Sequence, residues 1–186
     1  MGWALLIGGV VLWTAAHLFK RLAPAARARL GEPGKGLAAL LLVLSVVMMV
    51  FGYRWADGPV WWGAEGWRVH LNNLLMVLAF YSYAASGAKG AKIWWGTKTR
   101  HPQLIGFVLW SVAHLLVNGD AASVVLFGGL GAWAVAQMAV TNAQDGPFVP
   151  PPRAPVRKEV VAVVVTAVVV VVVMAIHWWL GVSPVG

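Results

Sequence analysis

The sequence predicts an all-α protein, a polytopic membrane bundle of about six transmembrane helices. Of its 186 residues, 60% are hydrophobic and 11% are charged, and the mean hydropathy is +0.76. Soluble domains carry about a quarter of their residues as charged side chains, so a soluble enzyme fold is excluded. Six apolar stretches use nearly the whole length, each close to the ~20 residues that cross ~30 Å of hydrocarbon. The chain has no cysteine, which excludes disulfides, thiolate metal sites and covalent c-type haem attachment.

The spans are predicted at 2–19, 37–53, 69–86, 103–118, 121–141 and 160–180. The fourth is short and ends at Asn118-Gly119-Asp120, so its link to the fifth is expected partly below the surface, where backbone groups need protein or water partners. The sixth is nearly polyvaline and is expected to be a lipid-facing anchor. The chain therefore divides into a five-helix core (1–141), a Pro-rich cytoplasmic linker (142–159) and a C-terminal transmembrane anchor (160–186).

The basic residues of three loops predict the orientation. They are Lys20, Arg21, Arg27, Arg29 and Lys35 in the first loop, Lys89, Lys92, Lys98 and Arg100 in the third, and Arg153, Arg157 and Lys158 in the fifth. Twelve of the fourteen Lys and Arg residues thus lie on one side, which the positive-inside rule makes cytoplasmic. We expect both termini to be periplasmic in a bacterial inner membrane. The net charge of +8 then reflects topology and contact with membrane lipid, and no nucleic-acid partner is expected.

Tryptophans near the predicted span ends are typical of an aromatic belt. They are Trp3, Trp55, Trp61, Trp62, Trp67, Trp94, Trp95, Trp178 and Trp179. The segment from Trp61 to Trp67 is predicted to form a short interfacial helix on the outer side. On the fifth span, Gly128, Gly129 and Gly131 permit close helix approach, which indicates packing more than a ligand site.

Two stretches on different spans have nearly the same sequence. Residues 9–19 read GVVLWTAAHLF and residues 106–116 read GFVLWSVAHLL, with seven of eleven positions identical. Both contain Trp-x-x-x-His, ending at His17 in the first span and His114 in the fourth. These spans run in opposite directions, so a true duplication is an inverted repeat with a site near the midplane between its halves. Chance recurrence of common apolar residues is the alternative.

The two histidines are the candidate metal ligands. Four residues of the fourth span recur at every fourth position and share one helix face: Gly106, Trp110, His114 and Asn118. Trp13 and His17 give the first span a similar face. An ionisable side chain inside a bilayer is by default a functional-site hypothesis, and two neutral imidazoles from facing helices suit a haem iron. They suit zinc poorly, because zinc takes more ligands. The alternative for each histidine is a hydrogen bond to a neighbouring helix.

The remaining ionisable groups are weaker candidates. Arg100 and His101 precede Pro102, which suits a first helical turn, so this helix start presents a cation and an imidazole to a lipid headgroup or a haem propionate. His70 and His177 lie near the outer boundary, where a solvated or interfacial histidine is the commoner case. The carboxylates are scattered over loops on both sides, and no hydrolase, phosphate-binding or metalloprotease motif occurs. No catalytic residue is therefore assigned.

The block from Thr99 to Asp120, with TRHPQLIG followed by LWSVAHLLVNGD, strongly resembles the NnrU family, which also contains the plant 15-cis-zeta-carotene isomerases. A second match is A-H at 16–17, followed by basic residues and L-G-E at 30–32; the resemblance covers about residues 10–140. It implies a polytopic membrane protein. In the isomerase branch, haem b is held by two histidines that correspond to His17 and His114. That branch has a cysteine in place of Ser111, and the plant enzymes lack the polyvaline sixth span as it stands.

The resemblance implies a haem b-binding protein associated with denitrification and nitric oxide metabolism, through sensing, electron transfer or maturation of a haem enzyme. Its expected partner is a nitric oxide or nitrite reductase system. Two alternatives stay open: a haem-dependent cis–trans isomerase of an apolar polyene such as zeta-carotene, and a non-catalytic membrane assembly factor. The element from Arg100 to Gly106 is also similar to isoprenylcysteine-type membrane methyltransferases. The residues after the fifth span lack the polar and acidic groups that those enzymes need to bind S-adenosylmethionine.

Overall fold

The computed structural model describes residues 1–87 and 90–184, so Lys89, counted above in the third loop, lies outside the described residues. The helices are α1 (Gly2–Leu22), α2 (Pro24–Arg29), α3 (Pro33–Trp55), α4 (Gly66–Ser86), α5 (Pro102–Val117), α6 (Ala121–Asp145) and α7 (Val156–Trp179). A 3-10 turn, Trp94–Thr97, precedes α5, and α6 contains a π-helical turn at Val124–Gly128. The described residues form no β-strand, so the all-α prediction is confirmed.

Four of these helices, α1, α3, α6 and α7, are long and apolar enough to cross a membrane. Each of the six predicted spans corresponds to a helix, but the count of six membrane crossings is not confirmed. Helix α5 has 16 residues, which is about 24 Å at 1.5 Å per residue. Helix α4 has 21 residues and carries Arg68, Asn72 and Asn73 among its apolar residues. These two helices pack closely on each other, so the shortest and the most polar of the six share an interface.

The long helices lie side by side in the order α3, α1, α6, α5, α4, α7. The two closest pairings, α1 on α3 and α5 on α4, both occur at a glycine. A Cβ on Gly9 would lie 2.9 Å from the Ser45 carbonyl oxygen, and one on Gly106 would lie 2.8 Å from that of Ala79. Small residues permit such close approach of helix backbones. The two copies of the repeated stretch therefore flank α6, and each packs on its other side against a further helix, α3 for the first copy and α4 for the second.

The link between α5 and α6 pairs with the segment that follows α3. The backbone N–H of Trp61 donates to the Gly119 carbonyl (2.9 Å), that of Gly119 donates to the Trp62 carbonyl (3.1 Å), and that of Ala121 donates to the Pro59 carbonyl (3.0 Å). Protein groups thus satisfy part of this irregular backbone, and the position of the link below the membrane surface stays a prediction. The interfacial helix expected from Trp61 to Trp67 is wrong: the chain is not helical before Gly66, because these backbone groups pair with the link instead.

Helix α7 packs mainly along α4 and exposes most of its valines. On its packed side, Ala162 forms a small buried cluster with Ala85 and Ile93. The Pro-rich linker before α7 is tied to the segment before α5, because the Lys92 N–H donates to the Pro152 carbonyl at 2.9 Å. The exposed valines fit a lipid-facing helix, and the division into core, linker and anchor stays a prediction.

Candidate functional site

A cavity of about 310 Å³ lies between α4, α5 and α7. Its apolar lining consists mainly of Val69, Met76, Val77, Phe80, Val117, Val170, Val173 and Met174. Its polar lining consists of Asn72, Asn73, His114, Asn118, His177 and Ser183. Apolar walls with a few placed polar groups are typical of small-molecule sites, whose volumes start near 300 Å³. This cavity is therefore the candidate ligand site.

His114 and His177 line this cavity from two different helices. The Nδ1 atom of His114 lies 2.9 Å from the Trp110 carbonyl oxygen, and that of His177 lies 2.8 Å from the Val173 carbonyl oxygen. Because a carbonyl only accepts, Nδ1 carries the proton in each neutral ring and Nε2 keeps the lone pair. Metal-ligating histidines generally have this arrangement, with the second ring nitrogen bound to a carbonyl or carboxylate.

The π-helical turn of α6 fixes the other side of His114. The Phe127 ring stacks on the imidazole, with centroids 4.7 Å apart and planes 29° apart. The Phe127 carbonyl accepts a hydrogen bond from the buried Ser111 hydroxyl. Trp110 also contacts both rings, with its centroid 5.0 Å from each. Single π-helical turns occur frequently at functional sites, and this one holds His114 between aromatic rings.

Three amides supply much of the polar lining of the cavity. Asn118 follows α5 and donates to the His114 carbonyl at 2.9 Å. Asn73 donates to the Pro184 carbonyl at 3.0 Å, which holds the segment after α7 against α4. Asn72, with its amide oriented to suit its neighbours, donates to the Ala113 carbonyl at 2.9 Å. The amides thus tie α4, α5 and the end of the chain together around the cavity.

His17 lies at a different interface, between α1 and α6. Its ring centroid is 4.3 Å from that of Trp13 and 4.5 Å from that of Trp133. Its Nδ1 lies 3.0 Å from the Trp13 carbonyl oxygen, so it has the same tautomer as His114. The indole N–H groups of Trp13 and Trp133 are buried without a hydrogen-bond partner. His17 is therefore surrounded by aromatic packing, and it does not line the cavity.

The structure does not bring His17 and His114 together. Their contacts on α6 are Trp133 and Phe127, which are six residues, or about 9 Å along a helix axis, apart. One iron held by both histidines needs their nitrogens about 4 Å apart, since each metal–imidazole bond is about 2.0 Å long. Phe107 lies between the two positions, with its centroid 5.2 Å from that of Trp133 and 5.0 Å from that of Trp110.

Arg100 and His101 lie at the other end of α5 from His114, about 20 Å away for thirteen or fourteen residues of helix. Arg100 donates to the carbonyls of Gly146 and Pro147, both at 2.9 Å. The His101 Nε2 lies 2.8 Å from the Asn142 side-chain oxygen. These contacts fasten the start of α5 to the end of α6, and they place both residues away from the cavity. Arg100, His101 and Asp145 instead line a separate, open pocket of about 580 Å³.

The sequence predicts Gly106 and Trp110 on the same face as His114, as candidate cofactor-binding residues, and neither of them lines the cavity. Gly106 permits contact with α4, and Trp110 packs on His114. The sequence favours a solvated or interfacial His177, whereas the structure places this residue in the lining of the cavity. The signal was present, because Val170, Val173 and His177 recur at the spacing of one helix face, but a polyvaline background conceals any periodicity.

Among the described residues, no group of three or more His, Cys, Asp or Glu side chains is placed to hold a metal ion. A metal at the cavity would therefore depend on two imidazoles together with ligands from the metal's own prosthetic group. The family model described as NnrU protein matches residues 5–184, which include the linker and α7. No curated protein and no solved structure matches the chain.

Proposed function

The chain belongs to the NnrU family, and on this premise we propose that it is a haem b-binding membrane protein of nitrogen-oxide metabolism. Its role is sensing, electron transfer or maturation of a haem enzyme, with a nitric oxide or nitrite reductase system as partner. One observation carries the haem assignment: the His114 imidazole lines an apolar cavity with its Nδ1 already bound to a backbone carbonyl.

The residues around the cavity fit one side of a haem well. The Trp110 carbonyl and the Phe127 ring fix the orientation of the His114 ring, so that Nε2 is the nitrogen available as a ligand. Valine, methionine and phenylalanine side chains give the flat macrocycle an apolar surface. The amides of Asn73 and Asn118 are hydrogen-bond donors suited to its polar edge. A bound haem supplies a redox-active iron whose properties follow from its axial ligands and its burial.

The test is the absorption spectrum of protein purified from cells supplied with ample haem, with extraction to identify haem b. We expect one non-covalent haem b per chain in the wild type. The His114→Ala variant should lose most of it, or change from low-spin to high-spin. His70→Ala is the matched control, since His70 is exposed and lies outside the cavity. Colourless wild-type protein with an intact fold contradicts the proposal and leaves the assembly-factor role.

A second candidate function, isomerisation of an apolar polyene, is favoured by the composition of the cavity wall. The wall is mostly apolar and includes residues of α7, whose other face is exposed. A wall of this composition suits an elongated hydrocarbon. Reduced, haem-loaded protein incubated with a cis-polyene tests this candidate; conversion that His114→Ala abolishes supports it. Unchanged substrate leaves the haem protein without isomerase activity.

A further inference from the structure

We propose that His177, at the end of the last helix, is the second haem ligand and faces His114 across the cavity. This inference rests on the proposed function, and it replaces His17 in the ligand pair. The last helix then completes the site instead of serving as an anchor alone.

The first observation is that His114 and His177 line one cavity. Helix α7 packs along α4 and makes little contact with α5. His114 on α5 and His177 on α7 therefore reach this cavity from two helices that do not pack closely on each other. Two imidazoles from separate helices, with the haem between them and apolar side chains around it, form an arrangement found in helical bundles.

The second observation is that a backbone carbonyl holds the His177 ring in one orientation and one tautomer. Its Nδ1 lies 2.8 Å from the Val173 carbonyl oxygen, the same contact that His114 makes with Trp110. Helix α7 carries charged residues near its start, but from Val160 to Ile176 its side chains are apolar apart from Thr166. Trp178 and Trp179, which follow directly, are exposed as belt residues are, whereas His177 is half-buried.

The third observation is the segment that follows α7. Gly181 adopts a positive φ of 83°, which a glycine adopts without strain, and the chain turns back. The Val182 N–H donates to the His177 carbonyl at 2.9 Å, and Asn73 donates to the Pro184 carbonyl at 3.0 Å. These contacts hold the end of α7 against α4, and so they keep His177 beside the cavity.

Met76 and Met174 also line the cavity, and a thioether is an established haem ligand. We favour His177 over either methionine as the ligand, because a backbone carbonyl orients its neutral imidazole, whereas no polar group orients a thioether. A His/Met pair raises the reduction potential relative to His/His. The two assignments therefore differ in a measurable quantity.

The experiment compares wild type, His177→Ala, His177→Met, His17→Ala and His70→Ala by oxidised and reduced absorption spectra, electron paramagnetic resonance and redox titration. We expect His177→Ala to convert the haem to a high-spin, carbon monoxide-binding form that added imidazole restores to low-spin. We expect His177→Met to keep a low-spin haem with a raised midpoint potential. His17→Ala and His70→Ala should keep the wild-type spectrum.

The outcomes separate the two proposals. A coloured wild-type protein whose spectrum changes in His17→Ala but not in either His177 variant overturns the His177 assignment alone. Colourless wild-type protein overturns the proposed function and this assignment together. If His177→Ala fails to retain haem, the His177→Met variant decides: a wild-type potential or an unchanged spectrum in that variant also overturns the assignment.

A measurement of proximity needs no haem. The chain has no cysteine, so pairs of introduced cysteines react without background. In the His114→Cys/His177→Cys variant, we expect a short bismaleimide to join the two thiols within one chain, so that cleavage at a protease site inserted in the linker no longer releases α7. The His17→Cys/His177→Cys variant is the control, and its α7 should be released. Release of α7 from both pairs overturns the assignment.

Discussion

The two copies of the repeated stretch occupy equivalent places in the bundle and have different surroundings. Each contributes a glycine to the contact with the helix on its far side from α6: Gly9 contacts α3 and Gly106 contacts α4. Each presents a histidine beside α6. His17 packs between Trp13 and Trp133, whereas His114 stacks on Phe127 and lines a cavity. The same local sequence thus yields one histidine in aromatic packing and one at a candidate ligand site.

The difference arises from the helices beyond each copy. On one side, the neighbour of α1 is α3, which closes that edge of the bundle. On the other side, α5 packs on α4, and α4 carries α7. The cavity exists because α7 adds a further wall, and no wall of that kind stands next to His17 in the described residues. A sequence motif therefore determines where a side chain lies on its helix. Whether that side chain lines a cavity depends on the other helices that pack around it, here on α7.

The largest expected loss of stability comes from replacing the glycine at which each copy packs on its neighbouring helix, and it shows whether the two glycines have equivalent roles. Gly9→Val and Gly106→Val should each cost about 2 kcal/mol of unfolding free energy, because over-packing costs about 1–3 kcal/mol. In both cases backbone atoms of the partner helix obstruct the new side chain: a Cβ lies 2.9 Å from the Met49 nitrogen for Gly9 and 2.8 Å from the Ala79 oxygen for Gly106.

Unfolding in mixed micelles, followed by tryptophan fluorescence, measures these costs. Gly36→Val is the matched control, because no atom lies within 4 Å of a Cβ built on Gly36. A large loss in one copy and none in the other means that the two glycines do not have equivalent roles.

The second-largest effect concerns two glycines of α6, Gly129 and Gly131, which contact different copies of the repeated stretch. A Cβ on Gly131 would lie 2.5 Å from the Ser111 hydroxyl oxygen, and one on Gly129 would lie 2.7 Å from a Val10 methyl group. We expect Gly131→Ala to cost about 1 kcal/mol net of the helix-propensity gain, since Ser111 is held by the Phe127 carbonyl. Gly129→Ala should cost less, because the atom in its way is a methyl group of the half-buried Val10 and not a group held by a hydrogen bond.

Gly128→Ala is the control for this pair, since nothing lies within 4 Å of a Cβ at Gly128. It should stabilise by up to about 1 kcal/mol through helix propensity alone. The same micelle unfolding assay ranks the three variants. An equal cost for Gly129→Ala and Gly131→Ala means that the α1 side is held as rigidly as the α5 side.

Much of the fold could be predicted from the sequence, because apolar runs and the ends of helices are local signals. Each of the six apolar stretches corresponds to a helix, although only four of these helices are long and apolar enough to cross a membrane. The other residues that line the cavity beside His114 could not be predicted this way. His17 shares its motif, and motif identity suggested a pair, whereas the packing of α7 beside α4 depends on contacts that a polyvaline sequence does not specify. The short helix expected around Trp62 failed for the same reason: its backbone pairs with a distant link.

The smallest expected effect concerns the one conservative difference in the motif, Thr14 against Ser111. The Thr14 hydroxyl donates to the Val10 carbonyl of its own helix at 2.8 Å, so Thr14→Ala should leave stability nearly unchanged. The Ser111 hydroxyl joins α5 to the π-helical turn of α6 through the Phe127 carbonyl. Hydrogen bonds between membrane helices contribute about 0.6 kcal/mol on average and at most about 1.7, so Ser111→Ala should cost an amount in that range.

A thermal melt in detergent measures the loss of stability in Ser111→Ala, and the absorption spectrum of the haem that we propose reports the effect on His114. Because Phe127 stacks on His114, release of its carbonyl lets the ring and the imidazole turn, and the absorption bands of bound haem should shift in Ser111→Ala but not in Thr14→Ala. Ser111→Cys should lie between Ser111→Ala and the wild type in stability, since a thiol is a weaker donor than a hydroxyl. Equal melts and identical spectra for Thr14→Ala and Ser111→Ala mean that the π-helical turn keeps its position without Ser111, and the asymmetry between the copies then depends on α7 alone.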